Sequence, residues 1–293
     1  MTYSNSADDL STRYHLFDGL NEHGFLFEEK CTDVLAENSG ETRWSIQARQ
    51  FPVTINNRDL HIDIVLKDNS NPELQVYAIV ECKRIDPLLS HWLFGNPTEV
   101  HEYKPRYITL SSHHDHQGNY KTFYTLQQFP CSQAITYIVD NWWLEQRSQE
   151  KRRITSPLPV EDVFMQTAMG IYGLSREIEV QWRKLFVKQS IIFIPIVLTS
   201  APLFIANYKV EDVDIVSGDI SPDKVTFGPL GEKPQQIKWL LVNYSTSRSI
   251  SPDSLFDTAK GYSPSELEEY YKRAIFVVNS EHIVEFFSKL HQD

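Results

Sequence analysis

Two carboxylates and an ammonium stand in two neighbouring apolar runs: Asp63 in His61-Ile-Asp-Ile-Val-Leu66, and Glu81 and Lys83 in Val76-Tyr-Ala-Ile-Val-Glu-Cys-Lys83. Alternating Ile and Val of this kind predict strands. A charge inside a strand costs several kcal/mol unless it is paired or bound to an ion. Three such groups within 21 positions therefore predict a site, and a divalent cation is the ligand that suits them. Hard cations such as Mg2+, or Mn2+ in its place, take oxygen ligands and keep several waters. Residues two apart on a strand share a face, which sets Glu81 and Lys83 together at about 7 Å, with Asp63 facing them from the next strand. A cation there polarises a phosphodiester and acidifies its bound water, while Lys83 orients that water or stabilises developing negative charge. The plain alternative is an exposed cross-strand pair, with Ile62, Ile64, Ala78 and Val80 on the opposite face. In that case Asp63→Ala would be nearly harmless.

The elements that must position these groups follow from periodicity. Helices are predicted over Asp9–Asn21 and Phe25–Glu37, punctuated by Gly24; the second has Phe27, Cys31, Val34 and Leu35 on one apolar face. Period-two patterning then runs from Trp44 to Lys83, broken at Asn56-Asn57 and Asp68–Pro72, and predicts an antiparallel three-strand meander. Ile85–Gln127 is irregular and reads as an insertion or loop. Cys131–Trp142 is expected to be a short helix and Val160–Leu185 a long amphipathic one, introduced by Pro157 and Pro159. Ile191–Leu198 reads as a strand buried on both faces, with Leu203–Ala206 pairing beside it. Further strands are expected at Ile237–Val242 and Ala274–Val278. A last helix, capped by Ser280, reaches Leu290.

Composition bounds the function classes. The chain has 293 residues, 41% hydrophobic and 23% charged, without repeats, which is the profile of a globular protein rather than a disordered one. A net charge of −11 argues against coating nucleic acid by bulk electrostatics, though a local basic cleft remains compatible with it. The N-terminal residues carry no basic start or apolar core, and the longest apolar stretch, Ile191–Ala206, is interrupted by Pro195 and Pro202. A cytoplasmic protein without a membrane span is expected. Cys31, Cys82 and Cys131 fit neither a disulfide framework nor a zinc ribbon.

Helix, meander, helix and strand, with an acid on the second strand and Glu-x-Lys on the third, resembles the PD-(D/E)XK nuclease superfamily over about residues 25–198. The resemblance implies a restriction-endonuclease-like α/β core within 1–199, carrying an insertion at about 85–127. Residues 200–293 become an α/β extension packed on the same domain. It implies Asp63, Glu81 and Lys83 as the catalytic set, and Cys82 as a metal ligand through its backbone carbonyl. A glutamate on the first helix is often added, and Glu28 fits because it precedes Cys31 and Leu35 by three and seven residues on the apolar face; Glu29 is the fallback. Gln133 and Tyr137 resemble a Gln-x-x-x-Tyr element of one branch, with Gln166 on the longer helix as the alternative. Arg84 adds positive charge that either meets a phosphate or pairs with Asp86. Ile62 stands where the name-giving proline would be.

Other features lead less far. Ser112–His116 reads as a solvated loop rather than a zinc site. The basic run Arg147, Lys151, Arg152 and Arg153, behind Trp142 and Trp143, suits either phosphate contact or a plain linker. Glu211, Asp212 and Asp214 read as a polar turn. No phosphate loop, dinucleotide fingerprint or nucleophile elbow occurs. The expectation is a Mg2+-dependent DNA endonuclease of restriction, defence or repair type, with RNA left open as substrate and a homodimer or partner subunit supplying a second site for duplex cutting. The alternative is a nuclease-fold protein that binds nucleic acid or serves assembly without cutting.

Overall fold

The computed structural model describes residues 16, 24–55, 57–69, 75–84, 89–95, 108–111, 131–133, 136–140, 158–185, 190–228, 234–245 and 272–290. In chain order these form α1 (Phe25–Glu37), α2 (Ser39–Thr42), β1 (Trp44–Ile55), β2 (Arg58–Asp68), β3 (Gln75–Lys83), β4 (Leu89–Gly95), β5 (Ile108–Ser111), β6 (Cys131–Gln133) and β7 (Thr136–Asp140). They continue with α3 (Leu158–Leu185), β8 (Ser190–Thr199), β9 (Leu203–Asn207), β10 (Thr226–Phe227), β11 (Trp239–Ser245), β12 (Lys272–Asn279) and α4 (Ile283–Lys289). The class is mixed α/β. An eight-stranded mixed sheet runs β1-β2-β3-β8-β12-β11-β6, with β5 also on β8, and a second sheet of four strands runs β10-β9-β4-β7.

The first three strands form an antiparallel meander, as the period-two pattern predicts. After it the chain passes through α3 and returns as β8, parallel to β3. Parallel pairing needs such a crossover, and β8 is buried from Phe193 to Thr199, the burial that its unbroken apolar run anticipates. One face of the large sheet carries α1 and α4: Cys31 and Leu35 meet Ile64, Ala78, Val80, Ile196, Phe286 and Phe287 there. The other face carries α3 and the second sheet, where Ile171 and Leu174 meet Val53, Ile62, Ile79 and Phe193, and Phe164 meets Trp92, Phe94 and Leu203. The indole Nε1 of Trp44 donates to the Leu290 carbonyl at 3.0 Å, tying the first strand to the end of α4. Among the described residues no helix is long and apolar enough to cross a membrane.

Several elements differ from the sequence expectation. The described residues of Cys131–Trp142 are not helical: they form β6, parallel to β11, and β7, antiparallel to β4. Thr136, Ile138 and Val139, all β-branched, favour a strand once such partners exist. The predicted loop over Ile85–Gln127 contains β4 and β5, with Trp92 and Phe94 buried at period two. Leu203–Ala206 does not pair beside Ile191–Leu198, because both edges of β8 are taken by β3 on one side and by β12 and β5 on the other. It pairs with β4 and β10 instead. Asn279 rather than Ser280 caps the last helical segment, its side chain accepting from Glu281 N at 3.0 Å. The helix expected over Asp9–Asn21 lies outside the described residues apart from Leu16, as do His113–His116 and Arg147–Arg153.

α3 lies close to the sheet because it offers glycine there. A Cβ on Gly173 would stand 2.6 Å from Val53 Cβ, and one on Gly170 2.9 Å from Ile62 Cγ1, whereas one on Gly40 would meet nothing within 4 Å. Gly173→Ala is therefore expected to destabilise by about 1–3 kcal/mol through overpacking, and Gly40→Ala to be neutral or stabilising by up to about 1 kcal/mol. Urea unfolding midpoints of the two variants check this, and equal midpoints would contradict the close packing.

Candidate active site

The site forms where two strands part. β2 and β3 are in register from Lys67↔Tyr77 to Ile64↔Val80. Their ladder ends there, whereas β3 stays paired with β8 through Lys83↔Thr199. Ser200 N adds a bond to the Lys83 carbonyl at 3.3 Å. Glu81 and Lys83 thus ride on a backbone held from one side only. Across the gap, Asp63 Oδ2 accepts from Cys82 N at 2.7 Å, so the carboxylate occupies the place the ladder vacates.

Gln50 completes the arrangement. It stands on β1 between Arg49↔Ile64 and Phe51↔Ile62, hence opposite Asp63, with a left-handed φ of 46°. For a residue with a Cβ that conformation costs about 1–2 kcal/mol. Its Nε2 donates to Glu28 Oε2 at 2.6 Å and to Asp63 Oδ1 at 3.3 Å, joining the first turn of α1 to β2. Ile62 and Ile64 do not share a face as expected. Ile62 packs under α3 and Ile64 under α1. Gln50 was not legible in the sequence, since a glutamine in a half-exposed strand carries no signal until its register against Asp63 is known.

Glu28 and Glu29 go separate ways. Glu29 is ion-paired with Arg49, while Glu28 turns to Gln50 and adds its charge to that of Asp63 and Glu81. Burial raises the Asp63 pKa from an ordinary 3.8 to about 6; the Cys82 N–H opposes this, Glu28 reinforces it, and the Gln50 amide and Lys83 ammonium oppose it more weakly. Glu81 is pushed well above the usual carboxylate range by burial and then by Asp63, with Lys83 pulling the other way. Three acids therefore share one partly buried space with Lys83 as the cation that relieves them. Such mutual strain is what an oxygen-seeking cation would relieve, so the donor set fits one chemically. As the side chains stand, however, no group of three or more His, Cys, Asp or Glu among the described residues is gathered around a common point that could hold a metal ion. Asp63 is turned to Cys82 N and Gln50, and Glu28 to Gln50.

The remaining sequence candidates are dispersed. Arg84 follows β3, its Cβ 3.8 Å from where a Cβ on Gly24 would lie, beside the start of α1. Gln133 and Tyr137 do not share a helix face: they lie on β6 and β7, in different sheets. Gln166 is exposed on α3. Asp214 holds its own turn, accepting from Val216 N at 2.9 Å and Ser217 N at 2.7 Å, with Glu211 exposed beside it.

No protein-family model matches the chain, and neither the curated proteins nor the solved structures contain a match.

A carboxylate whose pKa is raised on folding binds its proton more tightly in the folded state. The stability attached to Asp63 is thus fully present below about pH 4 and is lost as pH rises through 6. In EDTA, Asp63→Asn should be more stable than wild type at pH 7.5, by on the order of 2 kcal/mol, with the gap closing toward pH 4. A pH-independent difference in Tm would rule out charge crowding. Gln50→Ala should cost about 1–2 kcal/mol at pH 7.5 and less at pH 4.5, where Asp63, one of the two carboxylates it bridges, has taken up its proton; thermal melts at both pH values read this directly.

Proposed function

We propose that the protein is a Mg2+-dependent phosphodiesterase with a restriction-endonuclease-like core, cleaving DNA. The observation that carries this reading is the convergence of Asp63, Glu81 and Lys83, with Glu28 alongside, at the point where β2 leaves β3. Supporting it is the element order α1, antiparallel β1-β2-β3 and, beyond the intervening β4–β7, α3 and a β8 parallel to β3. That is the order the PD-(D/E)XK resemblance implies. A site at strand ends opening beside a helix start also suits an anionic substrate, because an α-helix N-terminus carries partial positive charge.

Asp63, Glu81 and the Cys82 carbonyl would hold the cation, with Glu28 binding directly or through a water. When bound, Mg2+ would polarise the phosphodiester and lower the pKa of a coordinated water. Hydrolysis joins a water oxygen to phosphorus and breaks one ester P–O bond, the leaving oxygen taking a proton. The chain's own share is electrostatic. Lys83 orients the attacking water and balances the charge that grows on the phosphoryl oxygens, and Gln50 keeps Glu28 and Asp63 from separating. Arg84, next in the chain to Lys83, would meet a neighbouring phosphate.

A second reading is favoured by one observation, the absence of a gathered three-ligand group among the described residues. In it the protein binds nucleic acid without cutting. Purified wild type and Lys83→Ala, incubated with linear duplex, covalently closed circular, single-stranded DNA and RNA in Mg2+, Mn2+ or EDTA, separate the two. The nuclease reading expects metal-dependent cleavage, abolished by EDTA and reduced roughly 10²–10³-fold in the variant, with loss of closed circles marking an endonuclease. Retarded mobility of nucleic acid without cleavage under every condition supports the second reading.

A further inference from the structure

Large apolar side chains standing singly on a surface are ordinary and need no function. Phe25 differs in what lies around it. It is the first residue of α1 and 54% exposed, with Leu26 beside it at 42%. Three residues on, Glu28 is its neighbour along the helix surface and meets Gln50, which in turn meets Asp63. The phenyl ring thus belongs to the turn of helix that borders the crowded acids. Arg84 follows Lys83 in the chain, and its Cβ is 3.8 Å from where a Cβ on Gly24 would lie, so a cation flanks the residue before Phe25. Among the described residues one other phenylalanine is exposed, Phe227, and it lies on β10 in the second sheet.

We propose that Phe25 is a substrate-binding residue whose ring stacks on an unpaired base of the DNA strand, beside a phosphate met by Arg84, and that single-stranded DNA is therefore the favoured substrate. Aromatic rings stack on any base, since every base has a π-face, while basic groups follow the phosphates. Inside a duplex both faces of a base are already covered, and exposing one costs unpairing and unstacking. A ring fixed on a helix surface meets such a base only where the strand is already single. The scale is suitable: three residues of helix advance about 4.5 Å, and one nucleotide step of a duplex rises about 3.4 Å. Charge points the same way. With a net charge of −11 the chain gains little from bulk attraction to phosphate, and stacking is a contact that an acidic protein can still use. The position of the scissile phosphate, at Asp63, Glu81 and Lys83, rests on the nuclease reading; the stacking itself does not.

The full-length wild type, Phe25→Ala, Phe25→Leu, Phe25→Trp and Phe227→Ala are titrated into a fluorescein-labelled oligothymidylate and into a blunt duplex of the same length. The titrations are made in EDTA at low salt and followed by anisotropy. The wild type is expected to bind oligothymidylate more tightly than duplex. Phe25→Ala and Phe25→Leu should each weaken that binding roughly 10-fold, while Phe25→Trp, which restores a π-face, keeps it. Duplex affinity and Tm should be the same for all five proteins, and Phe227→Ala should match wild type throughout. Unchanged oligothymidylate affinity in Phe25→Ala, leucine serving as well as tryptophan, or a wild type that prefers duplex or binds neither DNA would overturn the proposal. Cleavage in Mg2+ separates this from the nuclease reading. A Phe25→Ala protein that cuts single strands with wild-type KM leaves the nuclease standing and sinks the stacking. Binding that depends on an aromatic residue at position 25, without cleavage in any metal, keeps the stacking and counts against the nuclease.

Discussion

Everything at the site depends on the parallel ladder between β3 and β8. All nine residues of β3 pair with β8, from Gln75↔Ile191 to Lys83↔Thr199, whereas β2 accompanies β3 only as far as Val80. The asymmetry lets charged groups sit at the end of a buried sheet. The backbone of Glu81, Cys82 and Lys83 keeps its hydrogen bonds on one side, which a buried chain must do. The other side opens to admit the Asp63 carboxylate. With β2 paired to the end, there would be no room for it; without β8, nothing would hold the lysine and glutamate in register.

The cost of that arrangement is electrostatic. Burial raises Asp63 and Glu81 out of the usual carboxylate range; Asp63 adds to the rise of Glu81, and Glu28 adds to both. Opposing this are one backbone N–H, one glutamine amide and one lysine. Gln50 does so from a left-handed backbone, a conformation that persists in a non-glycine residue when its surroundings over-determine it. Strained backbone and crowded acids in one place work against the stability of the fold there. The core around it is of the opposite kind: aliphatic and aromatic, filled from both faces by α1, α3 and α4.

The meander, the long amphipathic helix, the buried strand after it and the candidate acids were legible in the sequence because each has a local cause. Alternating Ile and Val mark strands, apolar residues at helical spacing mark α1 and α3, and a charge within an apolar run stands out by its cost. The preference for Glu28 over Glu29 came from the same spacing argument, and the two side chains do diverge, one to Gln50 and the other to Arg49. The second sheet was not legible. Its strands are short, and whether residues 89–95 or 136–140 extend is decided by partners more than 40 positions away.

What the sequence determined by itself was the chemistry available and the secondary structure of its strongly periodic segments, since both follow from residue type and near neighbours. Tertiary structure alone decided three things. It decided that β9 leaves β8, whose edges are full; that Gln133 and Tyr137 fall in different sheets; and that Gln50 stands beside the acids. Each of these rests on register between segments distant in the chain. Register is a property of pairing, so no single segment encodes it.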